Sequence, residues 1–287
     1  MKIALAQINF TVGDIKANTE KIISAIESAK GLGADLVVFA EFATSGTPAY
    51  GLLTKTTFLT LCEEAIETIA TKCRGIAAIV GTPYLTAEGP ISAAAYIDAM
   101  GNIEYIGKRY VTARREMGYI VGSSIGSQTI HLNGKALKVV VGDDLSRMED
   151  LDEDIDAIIS VNARRYGKGI LTRRFDKMSR LAFAEGRTLM LINQVGGSGD
   201  IVYDGNSGVL DRDGHLVMLL KSFEEDIQIY DTEAENKPFE VPFTTYNDRT
   251  RMIYEAACLG LRDYFHKNGY KKACVGLSGG IDSAVVA

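Results

Sequence analysis

The stretch Asp35-Leu36-Val37-Val38-Phe39-Ala40-Glu41-Phe42 is apolar from its second residue until it reaches a carboxylate. A short, continuous apolar run of this kind predicts a strand over Asp35–Phe42. Glu41 comes at the carboxyl end of that strand, where an ionised side chain is costly unless it has a partner or a role. Glu41 is therefore a candidate functional residue. The other interpretation is a structural carboxylate whose hydrogen bonds are satisfied.

Apolar runs and helical patterns alternate on both sides of this strand. The predicted helices are Asn18–Gly31, Phe58–Arg74 and Leu171–Gly186. The predicted strands include Lys2–Phe10, Ile76–Gly81, Ile91–Ala99, Ile103–Gly107, Thr129–Leu132, Ala136–Gly142, Asp156–Asn162 and Thr188–Val195. Asn133-Gly134 separates two of these strands and is a strong signal for a two-residue hairpin turn. Helices mixed with antiparallel hairpins predict a layered α+β sandwich.

The composition changes after the last predicted hairpin, which joins Val202–Leu210 to His215–Leu220. Glu224–Glu240 is acidic, and it is either a linker or an acidic edge strand at Asp226–Thr232 followed by a loop. Asp248–Lys267 then predicts an amphipathic helix. We place a domain boundary near Phe243, which gives domains of residues 1–243 and 244–287. The expected buried side of the helix consists of Met252, Ala256, Leu259, Leu261 and Tyr264.

The bulk composition limits the classes of function. The chain has 287 residues, is 46% hydrophobic and carries a formal net charge of −6. This acidic balance disfavours nucleic acid and anionic membrane as partners. No apolar stretch reaches the roughly 18 residues of a membrane span, and the start of the chain does not resemble a signal peptide. We therefore expect a cytoplasmic protein. The four cysteines have no CxxC or Cys/His spacing, so a metal cage built from them is not favoured.

The chain ends in a glycine-rich loop, Ser278-Gly279-Gly280-Ile281-Asp282-Ser283. An apolar run, Ala273–Leu277, precedes the loop and another follows it, which predicts a strand, a tight turn and the start of a helix. Glycines without Cβ atoms let the backbone approach an anion closely, and loop N–H groups at a helix start bind phosphate. Ser278 and Ser283 add hydroxyl donors, and Asp282 is a candidate ligand for Mg²⁺ or a helix cap.

This loop resembles the pyrophosphate loop of N-type ATP pyrophosphatases. The resemblance implies ATP and Mg²⁺ as cofactors, with Asp282 as the possible Mg²⁺ ligand. The implied ATP-binding residues are Gly276, Ser278, Gly279, Gly280, Asp282 and Ser283. We expect the loop to open a doubly wound α/β domain that is almost wholly absent from these 287 residues.

Several earlier segments resemble the nitrilase, or carbon–nitrogen hydrolase, superfamily. They recur in the family's order over about 240 residues: Ile3–Asn9 with Val12–Ile15, Gly33–Glu41, Asn193–Gly197 and Asp204–Ser207. The match is closest to the glutaminase domain of glutamine-dependent NAD⁺ synthetases. The resemblance implies a four-layer α-β-β-α sandwich over residues 1–243, followed by the fragment of the second domain.

The family's chemistry needs a cysteine nucleophile, a glutamate base and a lysine that stabilises the oxyanion. By resemblance the glutamate falls on Glu41 and the lysine on Lys108, although a surface lysine after a hairpin is an equal alternative for Lys108. The family's apolar strand ends in Cys-Glu-Asp, whereas this chain has Val141-Gly142-Asp143-Asp144. Gly142 has no side chain to form a thioester, and the hydroxyl of nearby Ser146 is a poor substitute. The glutaminase site is therefore predicted to be inactive.

Two further departures lie beside these positions. Residues 111–116 replace a family Leu-Pro-Asn-Tyr-Gly run and the acidic loop that follows it, and Arg164-Arg165-Tyr166 replaces Ser-Pro-Tyr of the glutamine pocket. Drift in a domain that no longer catalyses is one interpretation, and an engineered Gly142 is another. A third is a new anion-binding surface, composed of Arg109, Arg114, Arg115, Arg164, Arg165 and Lys168.

Two functions remain open at this point. In the first, the parent protein is an NAD⁺ synthetase that adenylates deamido-NAD⁺ with ATP and amidates it with ammonia. In the second, the nitrilase-like domain is a non-catalytic scaffold or a glutamine-binding module. Resemblance implies a homo-oligomer in either case.

Overall fold

The computed structural model describes residues 1–114, 116–148, 154–235, 237–239 and 249–287. The predicted domain boundary near Phe243, and Arg115 of the predicted anion-binding surface, lie outside these residues. The helices are α1 (Ile15–Gly31), α2 (Thr56–Ala70), α3 (Ile170–Glu185), α4 (Arg249–Lys267) and α5 (Ile281–Val286). Short 3₁₀ turns occupy Tyr50–Thr54 and Gly142–Arg147.

The described strands form two six-stranded sheets and a separate hairpin. The first sheet has the order β14-β1-β2-β3-β4-β5 and the second has the order β13-β12-β9-β8-β7-β6. The strands of the first sheet are β1 (Lys2–Gln7), β2 (Leu36–Phe39), β3 (Ala77–Thr86), β4 (Gly89–Ile97), β5 (Ile103–Gly107) and β14 (Asp226–Asp231). Those of the second are β6 (Thr129–Leu132), β7 (Lys135–Val141), β8 (Ala157–Val161), β9 (Thr188–Ile192), β12 (Gly208–Leu210) and β13 (Leu216–Leu219). The hairpin consists of β10 (Val195–Ser198) and β11 (Ile201–Asp204).

The two sheets pack face to face between layers of helices. Successive residues of a strand point to opposite faces, so Leu36 and Val38 of β2 lie in the core between the sheets. Val37 and Phe39 of the same strand face the core under α1 and α2. The outer face of the second sheet is covered by α3 and α4. The predicted α-β-β-α sandwich is confirmed, and its two-sided burial explains why the strands are continuously apolar.

Parallel pairing brings the functional candidates together. β2 lies between β1 and β3, and β8 lies between β7 and β9, each in parallel with both neighbours. The carboxyl ends of β2 and β7 carry Glu41 and Gly142, and side chains at such ends meet at one edge of the sandwich.

Of the two interpretations of Glu224–Glu240, the acidic edge strand is confirmed: residues 226–231 form β14, which pairs with β1 along its whole length. Two other details of the predicted strands were wrong. Val202–Leu210 is two strands, because β11 ends at Asp204 and pairs with β10, whereas β12 pairs with β9 and β13. Ala273–Leu277 is not a strand, because a strand needs a neighbour and this segment has none among the described residues.

Helix α4 packs on the amino-terminal sandwich. Met252, Ala256 and Leu259 are buried as predicted, but Leu261 and Tyr264 are exposed. The inward side continues instead through Gly260 and Asp263. Gly260 lies so close to the hairpin that a Cβ on Gly197 would lie 2.9 Å from its Cα atom, and Asp263 is 5% exposed.

A buried polar cluster fastens the end of α4 to the first strand and the β10–β11 hairpin. Asp263 Oδ2 accepts hydrogen bonds from Asn9 Nδ2 at 2.7 Å and from Gly197 N at 2.6 Å. Lys267 Nζ donates to Asn9 Oδ1 at 2.6 Å and to the carbonyl oxygens of Phe10 and Gly197, each at 2.9 Å. Each of these polar groups therefore has a partner, as burial requires.

None of the helices in the described ranges combines the length and the apolar character needed to cross a membrane.

Candidate functional site

Glu41 lies immediately after β2, and neighbouring backbone fixes its position. Its N–H donates to the Asn162 carbonyl of the second sheet at 3.1 Å. On the other side lies Gly81 of β3, where a Cβ would stand 2.2 Å from the Ala40 carbonyl oxygen and 2.5 Å from Glu41 Cα. Only glycine leaves room for this approach. The carboxylate is 3% exposed, and Ser92 Oγ donates to its Oε1 at 2.7 Å.

Lys108 follows β5 and extends into the same cluster. The residue is 1% exposed, so it is not the surface lysine that the sequence left as an alternative. Its Nζ lies 3.1 Å from Glu41 Oε1 and 2.7 Å from Glu116 Oε2. A buried ammonium is tolerated only when it is paired in this way. Sequence reasoning missed Ser92 and Glu116, because their place beside Glu41 and Lys108 depends on tertiary packing.

The charges of this cluster shift one another's protonation. Burial lowers the pKa of Lys108, but the negative charges of Glu41 and Glu116 outweigh that effect and the net pKa is raised. The lysine is therefore held as a cation. Burial, with the charge of Glu41 as a further cause, raises the pKa of Glu116 to about 7. Glu116 is the member of the cluster whose charge changes near neutral pH.

Gly142 stands beside this ion pair in a backbone conformation that favours glycine. Its φ is +56°, in the left-handed region that side chains with a Cβ rarely occupy. A Cβ at this position would lie 2.8 Å from Lys108 Nζ, 2.9 Å from Lys108 Cε and 3.0 Å from Glu41 Oε2. The lysine therefore occupies part of the space that a nucleophile on residue 142 would need.

The residues around Gly142 fix the turn that carries it. Asp144 accepts from the Arg109 and Tyr110 N–H groups at 2.7 and 2.9 Å, which holds the backbone just after Lys108. Arg164 Nη2 donates to the Gly142 carbonyl at 3.2 Å. Arg164 Nη1 also lies 3.8 Å from Asp143 Oδ1. Arg164, one of the residues predicted to recharge the pocket, thus contacts Gly142 directly.

Neither Ser146 nor a described cysteine is placed to act as a nucleophile beside Glu41. Ser146 is exposed and donates to the Asp143 carbonyl at 2.8 Å. Burial raises the pKa of Cys62 to about 12 and that of Cys73 to about 11, so both remain thiols that react poorly. None of these three residues, nor Cys258 or Cys274, lines the cavity next to Glu41.

That cavity has a volume of about 540 Å³, within the range of small-molecule sites. Glu41, Lys108 and Gly142 line it together with Glu116 and Asp143. Of the predicted anion-binding surface, Arg114, Arg164 and Arg165 line the cavity, whereas Arg109 and Lys168 do not. Three of the five described residues of this set therefore belong to the cavity, and the other two lie outside it.

The glycine-rich loop lies far along the chain and is exposed. Ser278 Oγ and Ser283 Oγ are 3.1 Å apart, and Gly280 N donates to Ser278 Oγ at 3.3 Å. Gly279 has a φ of +85°, and a Cβ there or on Gly276 would meet no atom within 4 Å. The helix that follows, α5, has six residues. The loop has the predicted turn-and-helix form without the preceding strand.

Three polar residues of the late motifs, Asn193, Asp204 and Ser207, have structural partners. Gln7 Oε1 accepts from both the backbone N–H and the hydroxyl of Ser207, each at 2.9 Å. Asn193 Nδ2 donates to the Gly205 carbonyl at 2.9 Å, and Asp204 pairs with Arg174 at 3.1 Å. These contacts join the first strand to the second sheet. None of these polar residues lines the cavity.

Comparisons with known proteins agree with this arrangement. Residues 2–120 match the carbon–nitrogen hydrolase family, and residues 253–287 match the NAD synthase family. The glutamine-dependent NAD(+) synthetase of Xanthomonas campestris pv. campestris (strain 8004) is 32% identical over 300 residues, which include all of this chain and 54% of that protein. This chain belongs to the glutamine-dependent NAD⁺ synthetase family. It spans about half the length of the curated relatives it matches.

Solved structures show the same fold. The synthetase of Acinetobacter baumannii, solved in complex with ADP, superposes with a TM-score of 0.85 at 26% identity, and the match covers 99% of this chain and 55% of that one. An amidase from Nesterenkonia sp. superposes with a TM-score of 0.70 at 20% identity, covering 80% of this chain and 89% of that one. The resemblance inferred from the residues is thereby confirmed for the synthetase family and for the nitrilase-like sandwich.

Proposed function

We propose that this chain is the amino-terminal part of an NAD⁺ synthetase whose nitrilase-like domain does not release ammonia from glutamine. The complete enzyme uses ATP to adenylate deamido-NAD⁺ and then amidates it with ammonia from another source. The observation that carries the proposal is Gly142, which stands beside Glu41 and Lys108 without a side chain and with the lysine in the nucleophile's space.

The other residues of the cluster cannot replace a nucleophile at residue 142. A covalent route splits amide hydrolysis into two easier steps, and it needs an atom that attacks the amide carbon. Glu41 can move a proton and Lys108 can stabilise an oxyanion, but neither forms the acyl intermediate. Lys108 is moreover committed to Glu41 and Glu116, at 3.1 and 2.7 Å.

The loop at the end of the chain supports the ATP-dependent half. Gly276 and Gly279 leave open space where a Cβ would stand, and the hydroxyls of Ser278 and Ser283 lie together at the start of α5. These groups and the loop N–H donors fit a pyrophosphate, with Asp282 available to Mg²⁺. When bound, ATP would supply the adenylyl group, and Mg²⁺ would neutralise the charge of the departing pyrophosphate. The residues of this chain would hold and orient the phosphates.

Other properties follow from the same proposal. The nitrilase-like domain comprises residues 1–243, and residues 244–287 begin the synthetase domain, whose first helix α4 packs back on the sandwich. We propose a cytoplasmic homo-oligomer that acts on small molecules, since nitrilase-like domains pair through their faces.

Two assays on the complete protein test this function. With ATP, Mg²⁺ and deamido-NAD⁺, ammonium should support formation of NAD⁺, whereas glutamine should not replace it. Glutamate released from glutamine should stay at the level of a buffer blank. Glutamine-supported NAD⁺ formation would contradict the inactive glutaminase, and no NAD⁺ with saturating ammonium would contradict the ligase.

A variant guards against contaminating glutaminase. Lys108→Met removes the buried ammonium next to Gly142, so glutamate that this domain produced would disappear in the variant. Glutamate release that persists unchanged in Lys108→Met comes from elsewhere in the preparation.

A further inference from the structure

We propose that the cavity beside Glu41 and Lys108 is a non-covalent binding site for a small organic carboxylate with an aromatic or apolar body. The inference rests on the proposed loss of amide cleavage at Gly142, because in a working hydrolase an amide substrate would occupy this cavity. It goes beyond that loss by assigning the remaining cavity a ligand of different chemistry.

The cavity walls carry an excess of positive charge. Four cations line the cavity, Lys108, Arg114, Arg164 and Arg165, against the three carboxylates Glu41, Glu116 and Asp143. One of those carboxylates, Glu116, has a pKa raised by burial to about 7, so the positive excess grows as Glu116 takes up a proton. This positive site lies in a chain of net charge −6. A cleft lined by an excess of positive charge concentrates anions.

Hydrogen bonds hold Arg164 in a fixed orientation at the cavity. Its Nε donates to Asn162 Oδ1 at 2.9 Å and its Nη2 to the Gly142 carbonyl at 3.2 Å. Burial lowers the pKa of Arg164, which means that the cation is poorly solvated. A guanidinium fixed in this orientation recognises a carboxylate with little loss of side-chain freedom. Arg165, the exposed neighbour in sequence, lies at the same wall.

Much of the remaining cavity wall is apolar or aromatic. Phe42, Tyr50 and Tyr119 line the cavity, and the rings of Tyr50 and Tyr119 lie 5.7 Å apart at an interplanar angle of 46°. Such rings pack against a flat apolar body. Leu53, Ile170 and Ile201 extend this surface. A ligand that is anionic at one end and apolar at the other matches both halves of the cavity.

Calorimetry with two isosteres tests the charge requirement. Benzoate and benzamide have the same ring and nearly the same shape, and only benzoate carries the charge. We expect benzoate to bind with a Kd at least tenfold lower than that of benzamide, and lower than that of glutamine. Equal affinity for the two isosteres, no benzoate binding at millimolar concentration, or tighter binding of glutamine would each overturn the proposal.

Matched variants locate the site. Arg114→Gln and Arg165→Gln remove exposed guanidiniums at the cavity, and each should weaken benzoate at least threefold while leaving benzamide unchanged. Arg212→Gln removes an exposed guanidinium in the β12–β13 turn and should change neither affinity. Benzoate binding that survives both cavity substitutions would place the ligand elsewhere and refute the assignment.

The two proposals fail in different assays. Glutamate release would contradict the inactive glutaminase, whether or not benzoate binds. Absent benzoate binding leaves the ammonium-supported reaction untouched and refutes only the carboxylate site.

Discussion

Placing a side chain on residue 142 should destabilise the protein more than its backbone conformation alone predicts. Gly142 has a φ of +56°, and Gly199, in the β10–β11 turn, has a φ of +59°. A Cβ costs about 1–2 kcal/mol in this left-handed region. At Gly199 the Cβ would meet no atom within 4 Å, whereas at Gly142 it would meet Lys108 Nζ at 2.8 Å. The pair therefore separates backbone strain from the clash.

The cost of the clash depends on how far the new Cβ disturbs the buried ion pair of Lys108. Removing one partner of a buried pair costs about 3–5 kcal/mol, and a lysine that moves by a few tenths of an ångström loses only part of its pairing. We expect about 1–3 kcal/mol from this partial loss. Gly142→Ala should then lower the free energy of unfolding by about 2–5 kcal/mol, and Gly199→Ala by about 1–2 kcal/mol.

Urea unfolding followed by far-UV circular dichroism measures both variants, since the chain contains no tryptophan for fluorescence. Equal destabilisation of Gly142→Ala and Gly199→Ala would refute the idea that Lys108 occupies the space. Gly142→Cys extends the test to chemistry. A thiol placed here displaces the lysine that should stabilise the oxyanion, so we expect no glutamate release from glutamine. Release at a rate well above that of the parent chain would show that the cluster is still competent.

Three further predictions concern groups around this site. The folded-state pKa of Glu116 is raised from 4.5 to about 7, so between these pH values the folded state binds more protons than the unfolded state. As pH rises from 4.5 to 7, the parent chain should therefore lose up to about 3 kcal/mol of stability relative to Glu116→Gln. Urea melts in which the stabilities of the two proteins follow parallel pH profiles would contradict this. Gly81→Ala puts a Cβ within 2.5 Å of the backbone at Glu41 and should lower the free energy of unfolding by more than about 3 kcal/mol. A thermal melt like that of the parent chain would show that β3 does not need glycine at this position. Asp263→Ala removes the acceptor of the Gly197 N–H. Amide hydrogen exchange in α4 should accelerate at least tenfold, while exchange in α3 stays unchanged. If α4 is as well protected in the variant as in the parent chain, the buried cluster does not hold the helix.

The layered sandwich could be inferred from the sequence because its signals are local. Leu36–Phe39 is apolar on both faces, and Asn133-Gly134 marks a hairpin that the structure contains between β6 and β7. Ala273–Leu277 has the same apolar character, yet it forms no strand, because pairing depends on neighbours and not on composition. The two interpretations of Glu224–Glu240 could not be separated for the same reason: β14 exists only through its partner β1.

The candidate site could be inferred in part. An apolar strand that ends in a carboxylate draws attention to Glu41, and the resemblance to a known family placed Lys108 and Gly142. Their chemical roles stay predictions. Nothing local marks Glu116, which reaches Lys108 from a loop without regular structure. The sequence shows that Arg164 brings a positive charge to the predicted pocket. It does not show the hydrogen bond from Arg164 to the Gly142 carbonyl, which depends on the turn between β7 and β8.

The pairing of β1 with β14 also bears on how the polypeptide emerges from the ribosome. Residues 2–7 leave the exit tunnel more than 200 residues before residues 226–231, their antiparallel partners. Until then one edge of β1 has unsatisfied backbone donors and acceptors, which are a template for pairing with a foreign chain. A contact this distant along the chain also closes slowly. Until residues 226–231 arrive, that edge of β1 is therefore the part of the first sheet most open to pairing with a foreign chain.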